Sequence, residues 1–212
     1  MAEAAAAELQ EGILTGQLKP GAPLRLEELA HTLGMSISPV REAVRQLETL
    51  GLAVHVPHRG ARVSELNIRD LHDLYEARLA LETLAVRRAA ARFAEADAAL
   101  ARRHLDDYAA AYERGDHREA RGAHTAFHFT LYEASGSDWL VRLIRPAWEN
   151  CERYRLMSIA GRGTVLERQR EHERILEACV RHDPDGAAEQ LRRHLSLTAN
   201  LVARQMGAGD LF

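Results

Sequence analysis

Gly34-Met35-Ser36-Ile37-Ser38-Pro39-Val40-Arg41-Glu42-Ala43 reads as a tight turn running into a helix. Gly34 stops a preceding helix, Ser36 or Ser38 caps the next one, and Pro39 suits a first helical turn. Val40, Ala43, Val44 and Leu47 fall on one face up to about Leu50, and Gly51 closes the segment. Upstream, Glu27 to Leu33 form a short helix whose Leu26, Leu29, Ala30 and Leu33 face inward. A first helix from about Ala2 to Thr15 ends at Gly16 and the Lys19-Pro20-Gly21 cluster. Downstream, Leu52–Val56 and Ala61–Ser64 read as short strands joined by Pro57-His58-Arg59-Gly60. Three helices and a hairpin make a winged helix-turn-helix spanning residues 1–66.

Such a module binds double-stranded DNA by placing its second helix in the major groove. Ser36, Ile37, Ser38, Arg41 and Arg45 lie at the start and along one face of that helix. An arginine fork can take guanine O6 and N7, whereas serine hydroxyls and N-terminal amides suit phosphate. His58, Arg59 and Gly60 form the wing tip, suited to the minor groove or the backbone. Either arginine alone is more often a surface ion-pair partner. The combination of turn, cap, helix and wing favours DNA.

The whole chain has 212 residues and a net charge of −3, with charged side chains of both signs. Acidic residues outnumber basic ones even within residues 1–66, so phosphate contact depends on local placement: Arg41, Arg45, Arg59 and Arg62 cluster at the reading end. No apolar run reaches membrane-spanning length, and the alanine-rich, acidic N-terminus is unlike a signal peptide. Cys151 and Cys179 are too few for a disulfide framework and lack metal-type spacing. A cytoplasmic protein with reduced thiols is expected, with no membrane partner.

From Asn67 onward only helical periodicity remains. Segments are predicted at about 67–93, 96–114, 117–135, 138–160, 164–182 and 185–206. Gly115-Asp116, Ser135-Gly136-Ser137, Gly161-Arg162-Gly163 and Asp183-Pro184-Asp185-Gly186 separate the later ones. Pro146 is expected to bend or divide the fourth. Residues 67–212 thus form a second, all-α domain, and the fold class is mainly α.

Four histidines of this domain fall on apolar stripes: His124, His128, His172 and His194. His124 and His128 are spaced i, i+4 and project from one face. His172 precedes the turn centre at Asp183 by eleven residues and His194 follows it by eleven. In an antiparallel hairpin both then sit at one level, about 16 Å from the turn. A buried imidazole needs partners for both nitrogens, and one metal ion would satisfy all four rings. A single core histidine is the ordinary alternative for each; a matched pair plus an i, i+4 pair favours the metal.

Residues 18 to 63 resemble the GntR family of bacterial regulators, through Leu18-Lys19-Pro20-Gly21, Leu29-Ala30, Ser38-Pro39-Val40-Arg41-Glu42-Ala43-Val44 and Arg59-Gly60-Ala61-Arg62-Val63. The family commonly has an arginine after the capping serine, where this chain has Ile37. An altered operator base preference is expected at that position. Residues 68 to 205 resemble the FCD ligand-binding domain of the FadR subfamily, whose three histidine positions match Phe127-His128, Glu171-His172 and Arg193-His194-Leu195. The residue four before the first is commonly aspartate in that family and is His124 here. An all-imidazole set suits zinc first, nickel or cobalt next, over manganese or magnesium. The resemblance also implies a homodimer responding to a small organic acid.

Arg78 lies on an inward stripe with Leu71, Leu74, Leu81 and Ala85, where an unpaired guanidinium is costly. Two partners compete: Glu82 one turn away, and a carboxylate effector held jointly with the metal. Asn150 and Arg153 are weaker effector candidates. The expectation is a ligand-responsive transcription regulator. A metal sensor without organic effector is the nearer rival. A metal-dependent hydrolase is the remoter one, because no His-Glu-x-x-His arrangement and no recognisable Ser or Cys dyad is present.

Overall fold

A computed structural model describes residues 1–159 and 165–212 of the chain. The predicted Gly161-Arg162-Gly163 separator lies outside the described residues. Helices α1 (Ala2–Leu14), α2 (Leu26–Leu33) and α3 (Ile37–Thr49) precede strands β1 (Ala53–Val56) and β2 (Gly60–Val63). The strands pair antiparallel, with Ala53 opposite Val63 and Val56 opposite Gly60. Helices α4 (Ile68–Ala90), α5 (Glu95–Glu113), α6 (His117–Glu133), α7 (Asp138–Ile159), α8 (Val165–Val180) and α9 (Pro184–Gln205) follow. The protein is mainly α, a winged helix-turn-helix followed by a helical bundle.

The helix-turn-helix forms as its residues dictate. Gly34 adopts φ 63°, a left-handed stop that costs glycine no Cβ clash. Ser36 stands at the N-cap position of α3, yet its side chain makes no capping hydrogen bond, and Ser38 lies inside the first turn. Both hydroxyls are therefore left to solvent. Ala43, Val44 and Leu47 pack against Ala5, Leu9 and Ile13 of α1 and against Leu52 and Val63 around the wing, and Val40 is fully buried. Arg62 is structural, its guanidinium donating to the Gly21 carbonyl at 2.5 Å.

The second core draws Leu71, Tyr75, Ala85 and Val86 from α4, Phe127 and Leu131 from α6, Ile144 and Trp148 from α7, Ile175 from α8 and Leu191 from α9. It shares no residue with the first core. Helix α4 lies along α9, α5 along α6, and α8 along α9. Pro146 neither ends nor divides α7, which runs on to Ile159. Pro146 is solvent-exposed, so the carbonyl one turn before it can turn to water. Among the described residues, no helix is long and apolar enough to cross a membrane.

Candidate nucleic-acid interface and metal centre

Ser36, Ile37, Ser38, Arg41, Arg45, His58, Arg59 and Gly60 are all exposed. Five stand at the start and along α3, and His58, Arg59 and Gly60 at the turn of the wing. A groove of about 600 Å³ runs between α3 and the wing, with Arg41, Arg45, Arg59 and Gly60 among its walls. Arg45 approaches Glu42 at 3.8 Å with both side chains largely exposed, a loose pair that water screens. Arg25 and His55 also line the groove and were not singled out from sequence. Arg25 is held by Glu28 at 2.7 Å.

The four histidines converge from three helices. His124 and His128 come from α6, His172 from α8 and His194 from α9, and all four are buried. One nitrogen from each lies within 4.8 Å of the others. The hairpin register holds: the His172 and His194 ring centroids are 4.6 Å apart.

The surroundings fix the protonation of three rings. His172 Nδ1 lies 2.7 Å from the Arg168 carbonyl, and His194 Nδ1 lies 2.8 Å from a Glu171 carboxylate oxygen. Both partners can only accept, so each Nδ1 carries the hydrogen. His128 Nδ1 lies 3.2 Å from the Tyr132 hydroxyl, whose own proton goes to Glu82 at 2.6 Å. That hydroxyl must therefore accept from His128. In the neutral form each of these three rings keeps its lone pair on Nε2. His124 Nδ1 and His128 Nε2 are buried with no hydrogen-bond partner among the described residues. Burial, then the positive Arg155 and the neighbouring imidazoles, holds His124 well below the usual histidine range. Burial, then His172, His194 and Arg78, does the same to His128. Neutral rings with inward lone pairs are the donor chemistry of a divalent transition ion.

Arg78 is placed inward, as its stripe requires, but its guanidinium forks onto Glu82 at 2.5 and 3.1 Å. It also donates to Cys151 Sγ at 2.9 Å and stacks 4.8 Å from the Trp148 ring centroid. Glu82, the nearer of the two partners read from the sequence, holds this guanidinium in the structure. Asn150 and Arg153 do not join the imidazoles. They face the winged domain, where Arg153 binds the Ser64 and Glu65 carbonyls. The cations near the cluster that sequence reasoning missed are Arg155 and Arg168. Arg155 is buried and chelates Glu152 at 2.6 and 2.7 Å. Arg168 donates to the Tyr108 hydroxyl at 3.2 Å, and the Tyr108 ring lies 5.9 Å from that of His124. The spacing Trp148, Cys151 or Glu152, Arg155 was the available signal, one inward stripe on α7.

A winged reader joined to a helical sensor domain defines a class, the ligand-binding transcription regulators. Residues 1–63 match the family described as "Bacterial regulatory proteins, gntR family", and residues 73–197 match the FCD domain. The chain belongs to the FCD-containing GntR family of bacterial DNA-binding transcription regulators, and it is not an enzyme. It is 33% identical over 208 residues to the "Probable D-xylose utilization operon transcriptional repressor" of Paenarthrobacter nicotinovorans, covering 93% of this chain and 87% of that protein. It is 30% identical to the Escherichia coli repressor GlaR over 95% of each chain. The solved structure of E. coli McbR/YncC superposes with a TM-score of 0.81 at 25% identity, covering 97% of this chain and 98% of that one.

Proposed function

We propose that this regulator is a homodimeric repressor whose helical domain binds a divalent transition metal, zinc before nickel or cobalt, and a small carboxylate effector. The observation that carries the metal is the set of inward imidazole lone pairs, backed by acceptors that fix the tautomers of His128, His172 and His194. His124, His128, His172 and His194 would hold the ion, which would supply a buried positive charge for an anion to meet. A carboxylate arriving beside His124 would meet Arg155 first, with Arg168 and Tyr108 nearby. Arg78 would act one layer back, through Glu82, Tyr132 and His128.

Two winged domains are required because one recognition helix reads too few base pairs for a specific operator. Metal and effector would shift the packing of the bundle and so the fit of both readers to their half-sites. The repressor names of similar proteins support repression as the sign of control.

The test is metal analysis of protein purified without chelator or nickel resin. Operator binding is then titrated with zinc alone and with zinc plus candidate acids. One equivalent of transition metal per chain and an acid-dependent change in affinity are expected; a metal-free protein indifferent to added zinc would sink the reading. His124→Asp should move the preference toward harder cations. One observation favours a second reading, a metal sensor without organic effector: Arg78 and Arg155 are each already chelated by a buried glutamate. Zinc alone would then produce the full change in operator affinity.

A further inference from the structure

Helix α7 presents two faces to two different domains. On one face Trp148 stacks on His124 at 5.5 Å between centroids, and Cys151 accepts from Arg78. Arg155, further along, lies close enough to His124 and His128 to depress both. On the other face Asn150, Arg153 and Tyr154 meet the segment that joins the wing to α4.

That meeting leaves little of the joining segment without a partner. Arg153 is buried and donates to the Ser64 carbonyl at 3.2 Å, the Glu65 carbonyl at 3.4 Å, Asp70 at 2.9 Å and Asn150 at 2.9 Å. Tyr154 donates to the same Asp70 oxygen at 2.6 Å and accepts from the Asn67 amide at 3.2 Å. Asn67 in turn caps α4 through the Asp70 amide. The Asn150 amide packs where a Cβ on Gly51 would stand, and Gly51 has φ 73°, so the close approach needs glycine there. A second link, Arg121 to Glu11, joins α6 to α1 one turn before His124.

We propose that Arg153 is the positioning residue that fixes the winged domain on the bundle, with Tyr154 and Asp70 completing the lock. Its planar fork spans two backbone carbonyls of the joining segment and one carboxylate of α4. A lysine in its place has no such fork. Because α7 also walls the imidazole cluster, the lock makes the angle of the reader a function of how α7 sits. The inference concerns the domain arrangement and holds whether or not the imidazoles carry a metal.

The test uses full-length protein and a pool of random-sequence duplex DNA. Wild type should enrich paired half-sites at one fixed separation. Arg153→Ala should enrich the same half-site sequence but lose the fixed separation, because the reading residues are untouched and only their placement is loosened. Tyr154→Phe, which removes the hydroxyl alone, should loosen it less. A folded Arg153→Ala protein that keeps the single separation overturns the proposal. Should Arg153→Ala not fold, Arg153→Lys carries the same comparison. Should wild type enrich only isolated half-sites, the paired-reader reading fails on its own, and spin labels decide the lock. With Thr49→Cys and Arg103→Cys as label sites, diluted with unlabelled chain, the native thiols Cys151 and Cys179 are buried and stay unlabelled. A broader distance distribution for the Arg153 variant than for wild type upholds the lock, and equal widths overturn it.

Discussion

Ile37 begins the recognition helix and points its apolar side chain into solvent, 37% exposed, where a DNA groove would receive it. It offers no donor to guanine or phosphate, only contact with a thymine methyl. Ile37→Arg should move the preferred base at one position of each half-site toward guanine, by roughly 1–3 kcal/mol of discrimination. Selection from random duplexes measures this, and unchanged preference would remove Ile37 from the reading set. Arg78 carries a different expectation. Its removal strands Glu82, which is wholly buried, so Arg78→Ala should cost about 3–5 kcal/mol in urea denaturation. A loss below 1 kcal/mol, set against that figure, would mean that Glu82 finds another partner or a proton. The exposure of Ser36, Ile37, Ser38, Arg41 and Arg45 was legible in the sequence because they stand on a short module whose turn and helix fix every outward position. The partner of Arg78 was not decided there. Glu82 and an outside carboxylate can satisfy the same guanidinium, and spacing alone does not choose between them; in the packed chain Glu82 holds it.

At the scale of elements, the hairpin of α8 and α9 was readable by counting, since an antiparallel pair puts residues equidistant from the turn at one level. That register depends on where α9 begins. Asp183 caps it by accepting from the Gly186 amide at 2.9 Å, with Pro184 in the first turn. Asp183→Ala should cost about 1 kcal/mol of stability in urea denaturation. It should also weaken zinc retention more than a cap replaced elsewhere, because His194 shares the helix. Equal zinc retention in the variant and wild type would separate the cap from the imidazole cluster. Helix α7 was the element least legible. Its periodicity marks an inward stripe, but a helix packed between two domains has two inward faces. Arg153 and Arg155 are only two residues apart and serve opposite ones. Pro146 does not divide α7, because the carbonyl it orphans faces solvent and can turn to water.

For the whole molecule, the depressed histidines set a direction for pH. His124 and His128 lie well below the usual value of 6.5 when folded, and they regain it on unfolding. The unfolded chain then binds more protons below that pH. Stability of the metal-free protein should therefore be level above pH 6.5 and fall as the pH drops below it. The fall should approach about 1.4 kcal/mol per pH unit for each ring. Urea melts with chelator at descending pH check this, and a flat profile would contradict it. Zinc at roughly a hundred times its dissociation constant should add about 2.7 kcal/mol at neutral pH. The same melts with zinc in place of chelator measure it.

The chain also carries its own optical gauge. Of its two tryptophans, Trp139 stands in solvent, while Trp148 lies sealed against the rings of His124 and His128. Emission from the sealed indole reports on that chamber and hardly on the reader. With Trp139→Phe the remaining fluorescence would follow events in the chamber in real time, with no dye and no DNA present.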